Sequence, residues 1–185
     1  MKIRTIPTPL LDLVIAEVEH VQDDRGFFLE SWNRRDFAAA GLPHDFVQDS
    51  HSGSRYGVLR GLHYQDMSAP MGKLVRCTVG RILDVAVDLR ASSPTFGRWF
   101  AIELSADKKT FVYVPVGFAH GFATLSDYCE IQYKQTGYYR PDAENGIAWN
   151  DPDIGIAWPY DNPVLSERDR QLTSFDHYRR RPAFP

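Results

Sequence analysis

The sequence predicts an all-β protein, an antiparallel sandwich or barrel built as one domain over residues 1–185. Three observations carry that expectation. Short apolar runs recur along the chain with the two-residue alternation of strands. Turn signals such as Gly53-Ser54, Ala69-Pro70, Ser93-Pro94 and Ser126-Asp127 separate them. Helical periodicity is scarce. With 185 residues, 43% of them hydrophobic and 13% aromatic, the chain can fill one substantial core and is too apolar for disorder.

Residues 13–20 read as the first strand, ended by the turn-prone Gln22-Asp23-Asp24-Arg25-Gly26, and residues 27–32 as the second. Residues 34–40, stopped by Gly41 and Pro43, are the best helix candidate, because Gly readily takes the position just past a helix end. Strands follow at 46–52, 56–65, 73–79, 81–89, 99–104, 110–114, 118–124 and 128–136. From Tyr138 the pattern changes. Pro141, Pro152, Pro159 and Pro163 divide the tail into loops anchored by Trp149 and Trp158. Ser166 offers an N-cap for a short helix beginning Glu167-Arg168-Asp169. Arg179-Arg180-Arg181 reads as a solvated end.

The net charge of −3, without a long basic stripe, argues against nucleic acid as a partner. Residues 1–15 are interrupted by Pro7, Pro9 and Asp12 and offer neither a signal peptide nor a membrane span. Cys77 and Cys129 each sit in an apolar strand-like run. They read as buried reduced thiols, which implies a cytoplasmic protein.

Two stretches organise the rest. Val58-Leu59-Arg60-Gly61-Leu62-His63-Tyr64-Gln65 and Pro115-Val116-Gly117-Phe118-Ala119-His120-Gly121-Phe122 each set one histidine in an apolar, Gly-punctuated run. An imidazole in such a run usually has a partner or a task, so the scaffold is expected to bring His63 and His120 into one pocket. In residues 128–136, alternation puts Cys129, Ile131 and Tyr133 on the apolar face, opposite Glu130, Gln132 and Lys134. Tyr133 therefore points inward, as a core aromatic or as an acid. Strict alternation separates Arg60 from His63. Either Gly61 marks a bulge that turns both to one side, or Arg60 is left in solvent. Between His51 and Leu83, Arg55, Arg60, Lys73, Arg76 and Arg81 face a single acid, Asp66. That region suits phosphate groups, or equally a set of solvated edge-strand charges.

Pro115-x-Gly117-x-x-His120 resembles the second motif of the cupin superfamily, small β-barrels of the jelly-roll type. Metal-binding cupins carry a His-x-His pair in their first motif; here the place reads His63-Tyr64-Gln65. Two histidines without further ligands make a poor transition-metal site, which points to acid–base chemistry by bare imidazole. A longer ordered set is more specific. Asp24-Arg25-Gly26-Phe27-Phe28-Leu29-Glu30-Ser31, Phe46-Val47-Gln48-Asp49, Val58 to His63, Gly72-Lys73-Leu74-Val75-Arg76 and the His120 run resemble the dTDP-4-dehydrorhamnose 3,5-epimerases. So do Tyr133-Lys134, Tyr138-Tyr139, Trp149-Asn150-Asp151 and Ile154-Gly155-Ile156-x-Trp158-Pro159. The resemblance extends over most of the chain.

That resemblance implies a cupin-like jelly roll, usually a homodimer exchanging N-terminal strands, with no metal or organic cofactor. It implies a dTDP-4-keto-6-deoxyhexose substrate epimerised at C3 and C5 through enolates. His63 would be the base, paired with Asp169; Tyr133 the acid; Lys73 the cation beside the enolate. Arg25, Glu30, Gln48, Asp49, Ser50, Arg60, His120, Tyr139, Glu144 and Arg168 fall where the family contacts substrate. Ser50 stands where relatives often have asparagine, and Arg168 where lysine is common. A mono-epimerase of the same family is the alternative. A metal-dependent cupin is disfavoured by the missing His-x-His, and a non-catalytic sugar-nucleotide binder by the presence of both His63 and Tyr133.

Overall fold

A computed structural model describes residues 2–185. Strands β1 (Ile3–Pro7), β2 (Val14–Val18), β3 (Val21–Asp23) and β4 (Gly26–Phe28) precede a short helix, α1 (Arg34–Ala39). The body consists of β5 (Gln48–Arg55), β6 (Leu59–Gln65), β7 (Lys73–Val79), β8 (Arg81–Asp88), β9 (Trp99–Ser105), β10 (Thr110–Val114), β11 (Phe118–Thr124) and β12 (Tyr128–Gln135). The tail adds β13 (Glu144–Gly146), α2 (Glu167–Arg170) and α3 (Phe175–Arg180). One sheet has the order β1-β2-β10-β7-β12-β5, a second the order β13-β6-β11-β8-β9, and β3 and β4 form a separate hairpin. All the pairings between the described strands are antiparallel. The expected sandwich architecture is present, with two open sheets rather than a closed barrel.

Alternation along each strand decides what fills the space between the sheets. Val75, Cys77, Val112, Cys129 and Ile131 from the first sheet meet Ile82, Leu104, Phe118 and Phe122 from the second. The opposite face of the second sheet, with Val85, Val87 and Ala119, is covered by the tail through Ile147, Ile154, Phe175 and Tyr178. The outer face of the first sheet is covered near Ala16, Leu74 and Phe111 by α1, whose Phe37 is fully buried. Helix α1 starts where Asn33 Oδ1 accepts the Asp36 amide at 2.8 Å and stops before Gly41 at φ +72°. Both cysteines are buried and unpaired, and burial pushes the Cys77 thiol up to about 12.

Four elements went unpredicted. Strand β1 lies before the first expected strand, β3 runs into the stretch that reads as a turn, and β13 forms by pairing with β6. Helix α3 orders the basic end, which is solvated as expected: Arg179 and Arg180 lie exposed in its last turn, ion-paired with Asp176, and Arg179 also with Asp153. Ser174 caps this helix, and Phe175 and Tyr178, three positions apart, bury its inner face. Among the described residues no helix is long and apolar enough to cross a membrane.

The meeting of β6 and β11 shapes everything at the site. A Cβ on Gly61 would lie 2.7 Å from Gly121 Cα and 2.8 Å from the His120 carbonyl oxygen, and Gly61 has φ +119°. The β6–β11 register shifts here, between His120 and Phe122. The irregularity brings Arg60 and His63 to the lining of one recess, as the bulge reading of Gly61 expected. Gly61→Ala is therefore expected to cost about 3 kcal/mol of stability, because a Cβ meets backbone on a φ closed to L-residues. Urea denaturation should show the midpoint falling at constant m; an unchanged midpoint would contradict the close strand approach.

Candidate active site

At one end of the space between the sheets the inward side chains turn from apolar to polar. Gln48 and Ser50 of β5, Tyr133 and Gln135 of β12 and Lys73 of β7 descend from the six-stranded sheet. His63 and Gln65 of β6 rise from the five-stranded one, and Tyr139 and Glu144 close the side. Together they line a cavity of about 320 Å³.

His63 Nε2 lies 2.5 Å from Asp169 Oδ1. A carboxylate only accepts, so the imidazole donates from Nε2 and keeps the Nδ1 lone pair free. Asp169 is almost fully buried and His63 about a quarter exposed. Burial alone would push the Asp169 carboxyl up, but the His63 hydrogen bond and charge, with Ser166, hold it below its ordinary value. The tail is tied on both sides of this aspartate. Leu59 donates to the Val164 carbonyl at 3.1 Å, Ala148 donates to that of Thr173 at 2.8 Å, and Ser166 caps α2 by accepting from the Asp169 amide at 3.1 Å.

His120 pairs directly across from His63 in the β6–β11 register. Its Nε2 lies 2.9 Å from Asp84 Oδ2, with both side chains buried. The two histidines thus share one wall, each with its own carboxylate, but His63 alone lines the cavity. Asp84 was not singled out in the sequence. The signal was there: it is a lone acid on the inward face of β8, between Ile82 and Ala86.

Tyr133 packs partly against the core and partly into the cavity. Burial raises its hydroxyl above the ordinary tyrosine value, against smaller opposing effects from Ser50 and Arg60, so it holds its proton. The Lys73 ammonium has no hydrogen bond or ion pair among the described residues, and burial lowers it against the pull of Glu144 and Asp84. An unpaired cation facing a polar cavity is free to meet an anionic atom brought there.

The side of the cavity is held by a carboxylate shared between two donors. Glu144 accepts from the Tyr139 hydroxyl at 2.5 Å and from Arg168 at 2.6 Å. Burial would raise Glu144, but these two donors hold it below its ordinary value. Gln48 and Ser50 both donate to Gln135 Oε1, at 3.0 and 2.8 Å. Arg60 donates to Ser54 and to the Gly53 carbonyl, and joins Arg168, His63 and Asp169 around a neighbouring recess of about 380 Å³.

Three of the expected site residues lie elsewhere in the single chain. Asp49 points to the other face of β5, where it pairs with Lys134 at 2.9 Å beside a groove of about 190 Å³. Arg25 pairs with Asp23 on the exposed β3–β4 hairpin, and Glu30 accepts from Asn33 at 2.8 Å. Two buried amides at the cavity, Gln65 and Gln135, were not among the expected site residues, since most of their partners, such as Arg140 and Met71, lie far along the chain.

Known proteins with this arrangement are numerous and consistent. The family model described as dTDP-4-dehydrorhamnose 3,5-epimerase matches residues 7–177. The chain belongs to this epimerase family. A dTDP-4-dehydrorhamnose 3,5-epimerase from Pseudomonas aeruginosa is 54% identical over 166 residues, covering 89% of this chain and 91% of the relative. The crystal structure of the epimerase from Legionella pneumophila, in complex with dTDP-4-keto-L-rhamnose, is 41% identical. It covers 95% of this chain and 94% of its own, with a TM-score of 0.90. A 3'-monoepimerase from Streptomyces bikiniensis, solved with dTDP-quinovose, is 34% identical with a TM-score of 0.90, covering 97% of this chain and 91% of its own. The two-sheet sandwich is accordingly the cupin-like jelly roll of the epimerase family. Two side chains noted as departures from its usual pattern are already engaged: Ser50 with Gln135, and Arg168 with Glu144.

Proposed function

We propose that this chain epimerises dTDP-4-keto-6-deoxy-D-glucose at C3 and C5, giving dTDP-4-dehydro-L-rhamnose, with the whole chain acting as one domain. The observation that carries the reading is the placement of His63 and Tyr133 on different sheets around one cavity. The C4 ketone acidifies the protons on both neighbouring carbons, and inversion needs a base on one face of the ring and an acid on the other. His63 takes the proton at Nδ1, and Asp169 stabilises the imidazolium that forms. Tyr133 returns a proton from the opposite wall. Lys73 meets the developing enolate oxygen, a charge absent from the ground-state ketone. Arg60 and Arg168, around the adjoining recess, hold the diphosphate, so binding energy away from the reacting carbons positions the sugar.

The active unit in this reading is a homodimer in the cytoplasm. Val21, Phe27 and Phe28 expose large apolar surfaces on the β3–β4 hairpin, which suits an interface. That hairpin also carries Arg25, whose one ionic partner is its neighbour Asp23. A second copy receiving the hairpin would gain Arg25, and with it Glu30, for its substrate. The two buried unpaired thiols suit a reducing compartment.

The test is proton NMR of the 4-keto-6-deoxyglucose nucleotide in D₂O with purified protein. Loss of both the C3 and C5 signals, with a rhamno-configured product, is expected. Exchange at one carbon alone would make the chain a mono-epimerase, and exchange at neither would overturn the reaction.

A further inference from the structure

Gln65 is the residue at which this chain departs from the metal-binding cupins, two positions past His63 and on the same inward face of β6. It is buried, and its three side-chain hydrogen bonds are directed at two loops. Its Nε2 donates to the Ala69 carbonyl at 2.7 Å and to the Tyr138 carbonyl at 3.1 Å. Its Oε1 accepts the Arg140 amide at 2.7 Å. The peptide between them is held in the same way, since Gln48 Oε1 accepts the Tyr139 amide at 3.0 Å. Three consecutive residues with no regular secondary structure are thus fixed by side-chain amides rising from the cavity lining.

We propose that Gln65 is a positioning residue that clamps the Tyr138–Tyr139–Arg140 strap, so that Tyr139 and Glu144 close one side of the cavity and retain the nucleotide-sugar. The inference rests on the epimerase reading of the site. Tyr139 is half exposed and is aimed by its 2.5 Å hydrogen bond to Glu144. That aim depends on the backbone beneath it, and the backbone is held by Gln65 on both flanks. His63, Tyr133 and Lys73 stand on strands whose ladders do not involve the strap. Releasing the strap should therefore weaken capture of substrate and leave proton transfer alone.

Gln65→Leu keeps the volume and removes all three bonds. The expected result is a KM for dTDP-4-keto-6-deoxyglucose raised about tenfold, with kcat within about threefold of wild type and the pH profile of kcat unchanged. Amide hydrogen exchange at Tyr139 and Arg140 should accelerate in the same variant. In a double-mutant cycle with Tyr139→Ala, Gln65→Leu should add little to the KM, because both act through one ring. A fall in kcat with KM unchanged, additive effects on KM, or unaltered amide exchange would each overturn the proposal. Gln65→Asn, one methylene too short to reach the strap, takes the place of the leucine variant if that fails to fold. Wild-type exchange at C3 and C5 is measured first. Its absence indicts the reaction, and the clamp is then judged by amide exchange and by the Kd for dTDP.

Discussion

His63→Gln is expected to lower kcat by about a thousandfold while the protein keeps its fold. Glutamine is chosen because the carboxylate behind His63 is almost fully buried. An alanine would leave Asp169 with only Ser166 and the backbone, at a cost set by an uncompensated buried charge. A glutamine amide can still donate to Asp169, but it has no lone pair basic enough to take a proton from carbon. The measurement is the rate of C5 and C3 proton loss into D₂O, with thermal denaturation as the control for folding. Retention of most of the rate would mean that a group other than His63 is the base. Asp169→Asn separates the two parts of the dyad: it removes the charge behind the ring but leaves the ring in place.

Lys73→Met is expected to reduce kcat by about 10² to 10³, the usual loss for one positioned donor to a developing oxyanion. The Lys73 ammonium has no partner among the described residues, which leaves it for the substrate. Burial lowers this group below the ordinary lysine value, so its charge disappears earlier as the pH rises. The rate should be full while Lys73 is protonated and should fall on the alkaline side through that lowered value. Tyr133 is shifted upward and keeps its proton over the same range, so it does not set this limb. In Lys73→Arg the charge persists and the alkaline limb should move to higher pH. A limb that stays in place in the arginine variant would assign it to another group.

The strands were readable from alternation wherever one face met the core, and β7, β10 and β11 have the expected boundaries. β1 was hidden because it is an edge strand with little buried surface that ends at Pro7, two residues before Pro9. β13 carries no strand signal in Glu144-Asn145-Gly146 and exists because β6 offers a free edge. The places of His63 and Tyr133 at the cavity could be found from local pattern together with the family resemblance. The pairing of His120 with Asp84 could not, since it depends on a diagonal between adjacent strands. Arg25 and Glu30 were expected from the resemblance, but nothing within a single chain draws them to the cavity.

His63 and Tyr133 hang from different sheets, so in the proposed reaction the thickness of the sandwich is a ruler for stereochemistry. The distance a proton donor stands from one face of the ring, relative to the base on the other, is fixed by how Ile82, Leu104, Phe118 and Ile131 interlock at the apolar end. Close-packed interiors transmit a methylene's change in volume as displacement. In that reaction, side chains that never meet the sugar would share control over which carbon is inverted.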